Sequence, residues 1–342
     1  IYSKQWVVVQ DEKSSKFKKY KSYAAAASFP AELKRITADG SYHSKQVFNC
    51  DETALFWKRM PNRTYTYKSA KRASGFKAFK DRVTLALCGN AEGHMIKPGL
   101  VYRAKNTHAI QNKNKKHLPV FWQHNRNAWV TALLFTEWFH QCFIPEVKKY
   151  LQEQGLAFKV LLIIDNAPSH PDSIAHENEM ILLPANTTSL LQPLDQGVTH
   201  RVKATYTRLV FDMIRAAMDP NPDLSILDCW KSFTIADAIT FTKLAMDELT
   251  SERVNVCWNK LWSEAVSEFQ EFDGITAQVK TFMKTARETG GEGLADILEE
   301  DVSELIKGNE EELTNEELDE VLISSAEEED EEDEENQPEQ AR

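Results

Sequence analysis

The chain has 342 residues, of which 42% are hydrophobic and 10% aromatic, and this allows one large or two ordinary domains with a buried core. The sequence contains no run of eighteen apolar residues and no signal-peptide pattern, so we expect neither a membrane span nor secretion. The five cysteines lack the paired spacing of a zinc site, which predicts buried, reduced thiols.

The net charge of −11 is divided unevenly along the chain. Residues 292–342 hold 23 acidic residues against Lys307 and Arg342, a net of −21, whereas residues 1–291 carry +10. A basic body suggests a polyanionic partner, although a solvated, lysine-rich surface explains the same numbers equally well. The nine-residue acidic run that ends at Glu335 has nothing to bury and predicts a disordered tail over residues 326–342.

The first half of the chain predicts a connector, then strands, then a helix. Residues 1–45 combine a basic stretch with the helix-forming run SYAAAASFPAELKRI, and KQVFNC is typical of a short buried strand that ends at Asp51. TYTYKS, RVTLALCGN and MIKPGLVYRA predict an antiparallel meander with a turn at NAEG. TALLFTEWFHQCF has helical spacing, and that helical region is expected to end at Gly155.

The second half predicts two more strands and further helices. KVLLII is a continuous apolar run that ends at Asp165, which indicates a central strand buried on both faces. EMILL predicts a second strand, and an apolar stripe with helical spacing begins after Gln196. This order of elements predicts an α/β fold with a mixed sheet, followed by a helical region over residues 217–325.

Three aspartates lie where a predicted strand ends or a helix begins, so their side chains can converge at one edge of the sheet. Asp51 and Asp165 end strands, and Asp195 opens a helix whose N-terminus suits a carboxylate. Phosphoryl transfer on DNA uses divalent cations held by shared carboxylate oxygens. Each aspartate taken alone is more often a helix cap or strand-end residue than a metal ligand.

The phrases around these aspartates resemble the DDE-type endonuclease domain of the pogo/Tigger transposases. The matching runs are CDETALFWK, KDRVTLALCGNAEG, LLIIDNAPSH and LLPANTTSLLQPLDQGV. The resemblance implies an RNase H-like mixed sheet flanked by helices, with Asp51, Asp165 and Asp195 as the catalytic and metal-binding residues. It also implies two Mg²⁺ (or Mn²⁺) ions, cleavage of a phosphodiester, strand transfer into double-stranded DNA, and a nuclear location.

The same resemblance implies a division of the chain into four parts. Residues 1–45 would be the remnant of a linker that follows a missing N-terminal DNA-binding region. Residues 46–216 would form the catalytic domain, 217–325 a helical C-terminal region and 326–342 the acidic tail. A homo-oligomer assembled on DNA is compatible with this plan.

Several polar residues next to the three aspartates each have more than one interpretation. Glu52 is expected to point to the opposite face of its strand from Asp51, which favours a supporting role over direct metal ligation. Asn166 and His170 could contact a phosphate or orient a ligand, but a local turn role explains them equally well. The same alternatives hold for Gln192 and Gln196.

The segment 58–82 is basic and interleaved with aromatic residues, which favours contacts with DNA phosphates. The residues assigned to DNA binding are Lys68, Lys71, Arg72, Lys77 and Lys80. Exposed lysines that keep hairpins soluble are the alternative for any one of them. For the whole chain, the alternative to an active transposase is a domesticated nuclear DNA-binding protein that no longer transposes.

Overall fold

A computed structural model describes residues 22–58, 81–167, 169–170, 179–220 and 226–267, together with residues 280, 283, 284 and 302. Within these residues, six strands form a single mixed sheet with the order β4-β3-β2-β1-β5-β6. The strands are β1 (Val47–Leu55), β2 (Val83–Asn90), β3 (Gly99–Tyr102), β4 (Phe121–His124), β5 (Leu161–Ile164) and β6 (Glu179–Leu182).

Strands β2 and β3 pair antiparallel, as the sequence predicts for RVTLALCGN and MIKPGLVYRA, and β1 adds a third antiparallel strand beside β2. Strands β5 and β6 run parallel to β1. The sequence TYTYKS lies outside the described residues. The turn after β2 contains Gly93 at a φ of 97°, where a Cβ would lie 2.0 Å from the carbonyl oxygen of Ser251. The predicted NAEG turn is therefore confirmed and depends on its glycine.

Eight α-helices are found in the described part of the chain. They are α1 (Tyr23–Asp39), α2 (Ala132–Trp138), α3 (Ile144–Glu153), α4 (Thr188–Leu191), α5 (Val198–Met218), α6 (Ile226–Ser232), α7 (Ile235–Asp247) and α8 (Ser251–Val256). A π-helical turn over Phe139–Phe143 joins α2 to α3, and the chain then turns at Gly155 with a φ of 68°. None of the described helices is long and apolar enough to cross a membrane.

The helices cover both faces of the sheet. Phe48, Cys50 and Ile164 pack with α2 and α3 on one face. On the other face, Val47 and Ile163 contact α1, and Leu55 packs in one cluster with α5, α6 and α7. Successive β1 residues therefore face opposite layers, as the strand period requires.

The large aromatic side chains are buried to different extents. Trp138, Trp230 and Trp258 are almost wholly buried, whereas Trp122, Trp129 and Trp262 are half-buried. All five cysteines are buried and free. The predicted division of the chain at residue 216 remains a prediction, and the helices from residue 226 onward share a hydrophobic cluster with the sheet.

The strand order and directions confirm the predicted RNase H-like architecture. The meander β3-β2-β1 continues into the parallel pair β5-β6, and β4 adds a parallel strand beside β3. In such a sheet the carboxyl ends of β1 and β5 lie side by side, so residues that follow them are brought to one edge.

Candidate active site

The Asp51 carboxylate lies within β1, which corrects the prediction that the strand ends there. Strand β1 continues to Leu55 because its antiparallel pairing with β2 continues to Leu55 and Val83. Its parallel pairing with β5 stops at Asn49 and Ile163. Asp51 therefore stands beyond the last β1–β5 pair, level in register with Asp165, the residue that directly follows β5 as predicted.

The Asp51 side chain is buried and held by neutral hydrogen-bond donors. Gln192 Nε2 donates to Asp51 Oδ1 at 3.2 Å and to the Cys50 carbonyl at 3.0 Å. Thr199 Oγ1 lies 3.5 Å from Asp51 Oδ2, which is long for a hydrogen bond. No basic side chain described in the structure forms an ion pair with Asp51 within 4 Å.

A second polar network fixes the segment that carries Asp195 to strand β1. Asn49 Nδ2 donates to Gln192 Oε1 at 2.9 Å and to the Ile163 carbonyl at 2.9 Å. The Leu194 amide donates to Asn49 Oδ1 at 3.2 Å. Asp195 is in the 3₁₀ turn Leu194–Gln196, directly before α5, and its side chain is exposed.

The three predicted ligands therefore lie near enough to interact electrostatically. Burial raises the pKa of the Asp51 carboxyl well above its ordinary range, and the charges of Asp195, Glu52 and Asp165 raise it further. The hydrogen bond from Gln192 opposes this rise. A buried carboxyl crowded by like charges favours a bound proton or a bound cation.

His170 joins two of the acids on the α2 side of this edge. Its Nε2 lies 2.9 Å from Glu52 Oε1, and its Nδ1 lies 2.8 Å from Asp165 Oδ1 and 3.0 Å from the Asp165 carbonyl oxygen. Burial lowers the pKa of His170, but the Glu52 charge and the hydrogen bonds with Asp165 and Glu52 outweigh it and raise the pKa to about 11. Glu52 points away from the Asp51 side of β1, as the strand period predicts.

Two features of the acids fit a divalent cation. Carboxylate oxygens are the ligands that Mg²⁺ and Mn²⁺ prefer. One atom each of Glu52, Asp165 and His170 also lie within 4.8 Å of one another, so these three residues are a further candidate ligand group.

Sequence reasoning missed three side chains of this region. Thr199 and Asn49 contact Asp51 or its supporting glutamine, and neither belongs to a pattern that marks such contacts. Lys203 follows Thr199 by one helical turn and is 1% exposed, which is rare for a lysine. Asn166 is exposed beside Asp165. The Gln196 amide donates to the Pro193 carbonyl at 3.0 Å, and within the described residues its side chain makes no hydrogen bond.

The predicted DNA-binding residues Lys68, Lys71, Arg72, Lys77 and Lys80 lie outside the described residues. At the two ends of that basic segment, Lys58 Nζ donates to the Phe233 carbonyl at 2.7 Å, and the Arg82 guanidinium lies 4.0 Å from the centre of the Trp129 ring. Both cations are therefore engaged with the protein itself.

Fold and site together define an RNase H-like domain with acidic side chains gathered where β1 and β5 end their pairing. Residues 80–258 match the family described as DDE superfamily endonuclease. Because that match covers more than half of the chain, the protein belongs to this family.

Comparison with individual proteins confirms the resemblance to Tigger proteins. The chain is 33% identical over 189 residues to human Tigger transposable element-derived protein 7, a match that covers 52% of this chain and 34% of that protein. It is 30% identical over 283 residues to the human Jerky protein homolog, covering 80% of this chain and 48% of that protein. The chain thus spans less than half of either relative.

Solved structures of similar architecture include the Mos1 transposase paired-end complex with left transposon end. That match has a TM-score of 0.33 and 14% identity, and it covers 77% of this chain and 69% of the Mos1 chain. The catalytic domain of Mos1 mariner transposase matches with a TM-score of 0.28 and 15% identity over 76% of this chain and 100% of that chain.

Proposed function

We propose that this chain is the catalytic domain of a DNA transposase that cleaves a phosphodiester with the help of divalent cations. The observation that carries the proposal is the crowding around Asp51, whose buried carboxyl is close enough to Asp195 and Asp165 for both charges to raise its pKa. Such an arrangement is costly for a protein unless a cation or a reaction requires it.

In this proposal Asp51, Asp165 and Asp195 hold the metal, and Mg²⁺ or Mn²⁺ fits their oxygen donors. The family resemblance implies two ions. A bound divalent ion would supply charge neutralisation at the scissile phosphate and activation of the attacking water or hydroxyl. The chain itself would contribute orientation: Gln192 holds Asp51, and Asn49 ties the Asp195 segment to β1.

The substrate we propose is double-stranded DNA, engaged mainly through its phosphates. Within the described residues, several lysines lie near one another in the loop between β3 and β4 and just before β3: Lys115 Nζ donates to the Lys105 carbonyl at 2.6 Å, and Lys97 Nζ donates to the Lys116 carbonyl at 3.4 Å. We assign further phosphate contacts to the five basic residues between Lys68 and Lys80. A DNA substrate in turn supports a nuclear location.

The test measures nicking of supercoiled plasmid DNA with Mg²⁺ or Mn²⁺ by the chain and by Asp51→Asn, Asp165→Asn and Asp195→Asn. We expect each variant to lose nicking by roughly a hundredfold or more while its affinity for DNA is kept. Asp39→Asn, which removes an exposed carboxylate at the end of α1, is the matched control and should nick normally.

A second arm of the same experiment separates binding from cleavage. Glutamine at Lys68, Lys71, Arg72, Lys77 and Lys80 should weaken DNA binding and flatten its dependence on salt. If the unchanged chain binds plasmid DNA but neither binds Mn²⁺ nor nicks, the proposal of an active transposase is wrong. That result would support a domesticated DNA-binding protein instead.

A further inference from the structure

His170 uses both of its ring nitrogens on acids from two different parts of the fold. Glu52 belongs to β1 and Asp165 to the segment after β5, and the ring lies between them at 2.9 and 2.8 Å. Its side chain is 0% exposed. The ring also packs against Phe135 of α2 at a centroid distance of 4.6 Å, which fixes its position from the third side.

This geometry argues against His170 as a metal ligand. A histidine that binds a metal uses one nitrogen for the ion and commonly donates from the other to a carboxylate or carbonyl. Here both nitrogens already face carboxylate oxygens, and Nδ1 also meets the Asp165 carbonyl at 3.0 Å. The ring therefore takes the place that a cation would otherwise occupy between Glu52 and Asp165.

The position of His170 between the two acids matters most for the Glu52 carboxylate. It is adjacent to Asp51 in sequence, and a carboxylate so close to the other acids could compete for the same ion. Its side chain is only 17% exposed and its Oε1 is engaged by His170. Among the described residues, by contrast, the groups that donate to the Asp51 carboxyl are the neutral Gln192 and Thr199.

We propose that His170 is a positioning residue that pairs with Glu52, keeps that carboxylate away from the metal, and holds Asp165 at the edge of the sheet where Asp51 and Asp195 meet. The metal-related part rests on the proposed function, whereas the pairing of Glu52 with His170 does not.

The pairing is tested by urea unfolding without metal, using Glu52→Gln, His170→Ala and the double variant. His170→Ala leaves a largely buried Glu52 beside Asp165 with no counter-charge, so it should be the least stable protein. Removing Glu52 as well should restore part of that loss, because the uncompensated charge is gone. If the double variant is as unstable as the sum of the single changes, His170 contributes packing alone and the proposal is overturned.

The exclusion of Glu52 from the metal is tested by Mn²⁺ titration followed by electron paramagnetic resonance. Glu52→Gln should bind Mn²⁺ within about twofold of the unchanged chain, whereas loss of a true ligand would cost roughly tenfold or more. Glu92→Gln, an exposed carboxylate in the turn after β2, controls for the general loss of negative charge. A tenfold loss in Glu52→Gln alone would make Glu52 a ligand and overturn the assignment.

A third test compares the nicking of plasmid DNA by the same variants. His170→Ala should nick roughly tenfold or more slowly, and the double variant should recover part of that activity. Recovery is the result that a purely structural role for the ring does not produce. An unchanged chain that binds no Mn²⁺ refutes the proposed function, and the urea cycle then still decides whether His170 and Glu52 form the pair.

Discussion

The two halves of strand β1 lie among buried polar groups of opposite kinds. Beside its first half, Asn90 of β2 makes neutral, matched contacts: Asn90 Nδ2 donates to the Lys45 carbonyl and to Tyr150 Oη, both at 3.1 Å, and Asn90 Oδ1 accepts from the His94 amide at 2.8 Å. From Asp51 onward the strand carries the buried Asp51 and the half-buried Glu52, and the Glu52 charge adds to the rise in the pKa of the Asp51 carboxyl.

This difference separates stability from function along one strand. A matched neutral network stabilises the fold because each buried donor has an acceptor. A group of like charges lowers stability unless a ligand or a proton relieves it, and proteins keep such groups where activity needs them. The comparison therefore predicts that substitutions in the two halves change stability in opposite directions.

The largest stability effect is expected for Asn90→Ala. Asn90 is 0% exposed, and its loss leaves the Lys45 carbonyl, the Tyr150 hydroxyl and the His94 amide without their partner. We expect the free energy of unfolding to fall by about 3 kcal/mol in urea titrations. Asn112→Ala, at an exposed asparagine before β4, should change it by less than about 0.5 kcal/mol.

The opposite sign is expected for Asp51→Asn in the absence of metal. The asparagine amide keeps an acceptor for Gln192 Nε2 but removes the buried charge. We expect a gain on the order of 1 kcal/mol in the free energy of unfolding at neutral pH. Because burial and the neighbouring acids hold the folded-state pKa of Asp51 above its ordinary value of 3.8, the stability cost of the charged form grows as pH rises above 3.8 and is complete above the raised pKa.

The difference in stability between Asp51→Asn and the unchanged chain should depend on pH. As pH falls below the raised folded-state pKa, Asp51 takes up a proton in the folded protein and the cost decreases until the unfolded chain is protonated as well, near its ordinary pKa of 3.8, so the advantage of Asp51→Asn should shrink toward pH 4. Adding Mn²⁺ at neutral pH should reverse the order, with the unchanged chain gaining stability and the variant gaining little. A variant less stable than the parent at every pH would show that Asp51 is a structural residue.

The sequence predicted the strands and the acids better than the contacts that orient them. The apolar run before Asp165 identified β5 because a continuous apolar run suits a strand buried on both faces. The end of β1 was placed too early, since Asp51 interrupts the apolar pattern although pairing with β2 continues to Leu55. The partners of Asp51 come from residues more than 140 positions away, Gln192 and Thr199, and no local pattern encodes such distant contacts.

The smallest effect on stability is expected for His94, in the turn after β2, where its amide donates to Asn90. Its ring stacks on Tyr150 with a centroid distance of 3.9 Å and an interplanar angle of 7°. Burial lowers the pKa of His94 below its ordinary value of 6.5, and the Glu153 charge only partly offsets this. The unfolded chain therefore takes up the proton first, and stability should fall as pH drops below about 6.5 until His94 is protonated in the folded state as well.

Replacing His94 by phenylalanine keeps an aromatic ring against Tyr150 and removes the titration. We expect the variant and the unchanged chain to differ little at pH 8, and the variant to lose less stability on acidification, by roughly a degree or two of Tm between pH 7 and pH 5. His117→Phe, at an exposed histidine, controls for loss of an imidazole elsewhere. Parallel Tm curves for parent and His94→Phe would mean that the turn after β2 opens before His94 is protonated.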